Sequence, residues 1–230
     1  MRKIQMVDTK NQYLAIKKEV DESIQGVLDS ASYINGKAVQ DFSQSLASYL
    51  QVSLVIPCAN GTDALQIAMM ALGLQPGDEV ITPSFTYIAT TEVVALLGLT
   101  PIFVDVDPVT YCMDITSLKN AITPKTKAIV PVHLYGHAAP MAEILQIAKE
   151  NNLFVIEDSC DAVGATYDGK PVGSFGDLST ASFYPAHHVT MGEGGCVLAK
   201  TASMRKIVES LRDWGRDCWC PTGEDNTCGR

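Results

Sequence analysis

The chain has 230 residues, 47% of them apolar, and a formal charge of -9 at neutral pH. That length allows one sizeable domain, or one domain and a stub, and the composition is that of an ordinary globular protein. The acidic balance leaves no basic stripe to neutralise a phosphate backbone, so no nucleic-acid partner is expected.

Met1-Arg2-Lys3 leads into mixed polar sequence rather than an apolar segment with a small-residue cleavage site, so no signal peptide is expected. Tyr13, Ile16, Val20, Ile24 and Val27 recur at intervals of three and four, which predicts an amphipathic helix, and Val39, Phe42, Leu46 and Leu50 predict a second. Short apolar runs then alternate with helical stretches. Strands are predicted at Leu54 to Pro57, Glu79 to Thr82, Ile102 to Val104, Ala128 to Val132 and Leu153 to Ile156, and near Thr180 and Val197. Helices are predicted from Thr62, after Thr90, over Met141 to Asn151, and from Ala202 to about Trp214. Such alternation makes an α/β sheet with helices on both faces. Gly73 and Pro76-Gly77 end one helix and turn into the next strand. The apolar run from Val93 to Val104 is broken by Gly98 and Pro101 and is too short for a bilayer; a cytoplasmic location and no membrane partner are expected. Residues 1–50 read as an N-terminal helical segment of the same domain, 51–215 as its main body and 216–230 as a cysteine-rich tail.

Five groups of residues have the chemistry of a site. Asn60-Gly61-Thr62-Asp63-Ala64 follows a strand and opens a helix, where free N–H groups attract an anion and Gly61 lets a phosphate approach; the same residues serve equally as a plain helix cap. Val155-Ile156-Glu157-Asp158 ends at the carboxyl edge, where open α/β sheets bind ligands, although a carboxylate there can simply be solvated. In Pro83-Ser84-Phe85-Thr86-Tyr87 an aromatic ring stacks on a ligand or packs in the core. The loop Ser182 to Gly195 holds His187, which can move a proton near neutral pH. Lastly, Cys218, Cys220 and Cys228 form Cys-x-Cys-x7-Cys, with Cys160 far upstream. Four thiolates suit a two-iron two-sulfur cluster or zinc, or the cysteines are unrelated free thiols; spacing does not choose. In a reducing compartment the seven cysteines read as thiols or ligands rather than a disulfide framework.

Gly61-Thr62-Asp63, Pro76-Gly77-Asp78-Glu79-Val80, Val132-His133-Leu134-Tyr135-Gly136 and the Ser182 to Gly195 loop resemble the DegT/DnrJ/EryC1/StrS family of sugar aminotransferases, pyridoxal-phosphate enzymes of fold type I acting on nucleotide-linked keto sugars. In that family a serine precedes the reactive lysine by five positions, and counting five from Ser182 lands on His187. An imidazole cannot make the lysine's covalent link, so the resemblance implies untethered pyridoxamine phosphate with His187 as base. It also implies a phosphate held by the backbone of Gly61 and Thr62 and the Ser182 hydroxyl, Asp158 at the pyridine nitrogen, and Tyr87 rather than Phe85 on the ring. Asp161 stands near the cofactor where the aminotransferases usually have glutamine, a departure shared with the family's dehydrase branch.

From about Glu157 onward, Cys160, His187-His188, Arg212 to Cys220 and Asp225-Asn226-Thr227-Cys228 resemble the iron-sulfur 3-dehydrase branch of that family, which serves 3,6-dideoxyhexose biosynthesis. This implies a two-iron two-sulfur cluster on Cys160, Cys218, Cys220 and Cys228, a CDP-linked 4-keto-6-deoxyhexose substrate, an NADH-dependent reductase and a homodimer. Family members are about twice as long, so the expected fold is the α/β large domain of fold type I, a mostly parallel mixed sheet flanked by helices, without the C-terminal small domain. Cys58, Cys112 and Cys196 fall outside the pattern and read as packing, and His188 as structural support for His187. The other readings are a cluster-free dehydratase that uses glutamate, a plain aminotransferase, and an inactive cofactor-fold binding protein.

Overall fold

The computed structural model describes residues 4–217. In chain order these form α1 (Thr9–Ala15), α2 (Lys17–Ser30), α3 (Lys37–Leu50), β1 (Leu54–Cys58), α4 (Gly61–Ala71), β2 (Glu79–Pro83), α5 (Ala89–Leu96), β3 (Thr100–Val104), α6 (Ile115–Ala121) and β4 (Thr126–Ile129). After a 3-10 turn at Leu134–Gly136 come α7 (Met141–Asn151), β5 (Phe154–Asp158), a two-stranded hairpin of β6 (Thr166–Tyr167) and β7 (Lys170–Pro171), β8 (Leu178–Ser182), β9 (Gly195–Ala199) and α8 (Ala202–Arg212).

Seven strands form one sheet in the order β1-β9-β8-β5-β4-β2-β3. β9 runs antiparallel to both neighbours, and every other pair is parallel. Parallel pairs need crossovers, which the helices supply on both faces. Because alternate strand residues face opposite sides, neighbours in sequence enter different cores. Val80, Ala128, Ile156 and Val197 pack with Leu65 and Met69 of α4, Val93 of α5 and Val208 of α8. On the other face Ile81, Ile129 and Val155 pack with Leu118 of α6 and Ile144 of α7, while Ala181, Phe183 and Leu198 pack with Leu46 and Leu50 of α3.

The predicted α/β alternation is present, with four differences. The first predicted helix is two, α1 and α2, joined at Ile16, and neither has a buried residue; Tyr13, Ile16 and Ile24 are 38–56% exposed because their stripe meets no core among the described residues. β4 ends at Ile129 rather than Val132, since Pro131 has no N–H to continue the ladder. α8 stops at Arg212, where Asp213 leaves helical geometry. α6 and the β6–β7 hairpin carry too few apolar repeats to have been predicted. Among the described residues no helix is long and apolar enough to cross a membrane.

Candidate cofactor site at the strand ends

The site begins where β1 turns into α4. Asn60 caps the helix: its Oδ1 accepts the Asp63 N–H at 2.8 Å and its carbonyl accepts the Ala64 N–H at 3.1 Å. The cap thus leaves the N–H groups of Gly61 and Thr62 at the positive end of an 11-residue helix. A Cβ at Gly61 would lie 2.7 Å from Ser182 Cβ and 3.1 Å from Cys160 Sγ, and one at Gly195 would run into the Asn60 carbonyl. Two glycines therefore let the turn settle onto β8 and β9, with the Ser182 hydroxyl oxygen 3.1 Å from where a Gly61 Cβ would lie. Ser182 is buried and its oxygen accepts the Tyr184 N–H at 3.4 Å, which leaves its own proton to donate. Free backbone N–H groups at a helix N-terminus, with a buried hydroxyl on the adjoining strand end, have the chemistry to hold a phosphate.

Asp158 ends β5 and is 5% exposed. Its Oδ2 accepts the Thr90 hydroxyl at 2.8 Å and its Oδ1 the Cys160 N–H at 3.2 Å. Its neighbour Glu157 points to the other face, where it is wholly buried. Oε1 accepts the Phe175 and Gly176 N–H groups, both at 2.7 Å, and Oε2 accepts Gly173 N–H at 2.8 Å and His133 Nε2 at 2.9 Å. His133 Nδ1 accepts the Ala139 N–H at 3.0 Å, which assigns the proton to Nε2. This carboxylate ties the end of β5 to the loop after β4 and the loop before β8.

His187 lies in the loop between β8 and β9. The loop is pinned at its base: Phe183, buried edge-on against Phe42, donates its N–H to Gly194, and its carbonyl takes the Thr190 hydroxyl and the Met191 N–H. At the tip, His187 Nδ1 is 3.0 Å from Asp161 Oδ1. His188 is exposed, so the partner of His187 is Asp161 rather than the adjacent histidine. No lysine occurs between Ser182 and Gly195, and the next one, Lys200, is at the opposite end of the sheet. There β9 closes beside the starts of β1 and β8, and Lys200 Nζ donates to Phe175 carbonyl at 2.7 Å.

Gly61, Ser182 and Cys160 thus meet directly, Asp158 joins them through the Cys160 N–H, and Asp161 and His187 form a pair. Thr62 is half-buried in the same turn. Tyr87 follows β2 and is 75% exposed, whereas the Phe85 ring meets that of Tyr111 at a tilt, their centroids 5.5 Å apart. Thr90, Thr86, Glu157 and His133 were not singled out by their residue type; only the three-dimensional contact across distant segments reveals them.

Of the four cysteines expected to hold a cluster, Cys218, Cys220 and Cys228 lie outside the described residues. Cys160 is packed beneath the Gly61 turn, with Sγ 3.8 Å from Thr180 Oγ1; burial and then the charge of Asp158 push its thiol up. Among the described residues no three His, Cys, Asp or Glu side chains gather as a metal site. The cluster expectation therefore gains no support from the structure. Burial pushes the Cys58 thiol up to about 12 and raises those of Cys112 and Cys196, in keeping with packing roles.

A seven-stranded sheet with one reversed strand, and a site at the carboxyl ends of its parallel strands, defines the large domain of fold type I pyridoxal-phosphate-dependent enzymes. Residues 14–227 match the model of the DegT/DnrJ/EryC1/StrS aminotransferase family, and the chain belongs to that family. It is 44% identical over 221 residues to the lipopolysaccharide biosynthesis protein RfbH of Salmonella typhimurium, covering 93% of this chain and 50% of that protein. Identity to a UDP-2-acetamido-2-deoxy-3-oxo-D-glucuronate aminotransferase of Pseudomonas aeruginosa is 44% over 215 residues, covering 93% of this chain and 60% of the enzyme. Identity to a dTDP-4-dehydro-2,6-dideoxy-D-glucose 3-dehydratase of Saccharopolyspora spinosa is 54% over 155 residues, 67% of this chain and 34% of the enzyme. The chain spans about half the length of the curated relatives it matches. Among solved structures, S. venezuelae DesV superposes with a TM-score of 0.92 at 34% identity, covering 97% of this chain and 61% of that one. NtdA from Bacillus subtilis with bound PMP superposes at 0.82 with 34% identity, covering 91% and 48%.

Proposed function

We propose that this chain carries the cofactor site of a pyridoxamine-phosphate-dependent 3-dehydrase acting on a nucleotide-linked 4-keto-6-deoxyhexose. The observation that carries the reading is His187, paired with Asp161 at the tip of the loop where the resemblance expects lysine, while the nearest following lysine is bonded at the far end of the sheet. The 3-dehydratase relative and the PMP-bound NtdA structure support the reaction class and cofactor.

In this reading the N–H groups of Gly61 and Thr62 and the Ser182 hydroxyl hold the phosphate. Asp158 keeps the pyridine nitrogen protonated, and Tyr87 covers a ring face. When bound, the cofactor would supply an electron sink and an acidic methylene C–H, whose proton loss would be coupled to departure of the 3-hydroxyl. Asp161 holds Nδ1 of His187, so Nε2 is the atom that takes and returns the proton. The cysteine spacing extends the proposal to a two-iron two-sulfur cluster on Cys160, Cys218, Cys220 and Cys228, fed by an NADH-dependent reductase; that part rests on the sequence pattern. A CDP-linked sugar and a homodimer complete it on the same ground.

The test is to incubate the anaerobically purified chain with pyridoxamine phosphate and a CDP-linked 4-keto-6-deoxyhexose, following the sugar by mass spectrometry and the protein by iron and sulfide analysis. Loss of one water that requires pyridoxamine phosphate is the expected result. Transfer of an amino group to the sugar instead would overturn the dehydrase reading, and protein that holds no iron or sulfide after anaerobic reconstitution would remove the cluster from it.

A further inference from the structure

We propose that Thr90, with Thr86 behind it, is a positioning residue that couples Asp158 to the loop carrying Tyr87. The inference rests on the cofactor reading above, in which Asp158 faces the ring nitrogen and Tyr87 a ring face.

The two groups belong to different strand ends, with Tyr87 after β2 and Asp158 at the end of β5. Thr90 touches both. Its backbone N–H donates to the Tyr87 carbonyl at 3.2 Å, and its hydroxyl, 1% exposed as a residue, donates to Asp158 Oδ2 at 2.8 Å. A carboxylate oxygen only accepts, so the single proton of the Thr90 hydroxyl is committed to it. The Thr90 oxygen must then be the acceptor toward Thr86 Oγ1, 2.9 Å away. The chain of donors therefore has one direction, from half-buried Thr86 to Thr90 to Asp158, and each bond polarises the next.

A buried threonine in a helix ordinarily returns its hydroxyl to a carbonyl of its own preceding turn. Thr90 instead reaches to another element, onto the carboxylate that the cofactor reading assigns to the ring. With Cys160 N–H on Oδ1, it fixes both oxygens of Asp158 and hence the plane of the carboxylate. Movement of the Tyr87 loop is thereby transmitted to Asp158 through one residue.

The experiment measures pyridoxamine phosphate affinity and the absorption band of the bound ring for the full chain and for Thr90→Val, Thr90→Ser, Thr86→Val, Tyr87→Ala and the Thr90→Val/Tyr87→Ala double variant. Thr90→Val is expected to weaken binding by about tenfold, as loss of a hydrogen bond to a charged group does, and to shift the band. Thr90→Ser restores both, and Thr86→Val gives the same band shift with a smaller loss. The Tyr87→Ala and Thr90→Val losses should combine to less than their product. Wild-type affinity and band in folded Thr90→Val, with no coupling to Tyr87→Ala, would overturn the inference alone. If Thr90→Val does not fold, an unchanged band in Thr86→Val overturns it. Failure of the wild-type chain to bind pyridoxamine phosphate would instead remove the cofactor reading itself.

Discussion

Replacing His187 with asparagine is expected to lower pyridoxamine-phosphate-dependent water loss from the sugar by about 10²–10⁴-fold, the usual contribution of a positioned acid or base. Asparagine keeps a polar side chain of similar reach opposite Asp161 Oδ1 but has no group that takes up a proton near neutral pH. The anion turn at Gly61 and the Asp158 carboxylate are untouched by the change, so binding of the cofactor should persist and the loss should fall on turnover. Single-turnover rates set beside cofactor affinity make the distinction. Unchanged turnover would show that another group moves the proton. Lysine at the same position makes a complementary prediction: the variant should link covalently to pyridoxal phosphate, with a visible band and a borohydride-stable mass increase on the peptide holding residue 187. A folded His187→Lys protein that forms no such link would show that the loop tip does not face the cofactor.

The second large effect is on stability. Glu157→Gln is expected to destabilise the fold by about 3–5 kcal/mol, because one carboxylate oxygen becomes an amide nitrogen facing donors that it cannot accept. Either orientation sets the new NH₂ against two donors: Phe175 and Gly176 N–H on one side, or Gly173 N–H and His133 Nε2 on the other. For a chain of this size the corresponding fall in melting temperature is roughly 6–20 °C. Burial works against the Glu157 charge, but the hydrogen bond from His133 and those from Gly176 and Gly173 prevail and hold the carboxyl below its ordinary range. A lowered folded pKa means that the charge stabilises above the unfolded value, and that this contribution disappears as pH falls through the folded one. Wild-type stability should therefore decline on the acid side, and Glu157→Gln should flatten that decline. Thermal melts of both proteins from neutral to acid pH measure this; equal melting temperatures at neutral pH would show that the four donors find other partners.

The strand and helix alternation was legible because each strand divides its residues between two cores, so pairs such as Val80-Ile81 and Val155-Ile156 write continuous apolar runs. Where the sequence was misleading, the reason is local. The Tyr13 to Val27 stripe has the periodicity of one helix, yet Ile16 breaks it and no core receives it among the described residues. Asp158 could be singled out because a carboxylate at a strand end carries obvious chemistry, and His187 because it stands five positions after Ser182 in the loop that follows β8. Thr90 and Glu157 were hidden because threonine at a helix start and glutamate in a strand have many ordinary roles. Only a partner 68 positions away for Thr90, and backbone donors 16 to 19 positions away for Glu157, give them meaning. The pairing of Asp161 with His187 was hidden for the same reason, although both residues had been singled out separately.

The reversed direction of β9 has a consequence for how this fold can change its chemistry. Since β8 arrives at the site edge and β9 departs from it, the segment between them is a closed loop whose two feet, at Phe183 and Gly194, are bonded to each other. Its tip is exchangeable cargo on a fixed mount. On the proposed reading, swapping the residue carried there would alter which reaction is run, while the glycine-lined turn and the strand-end carboxylate keep their geometry.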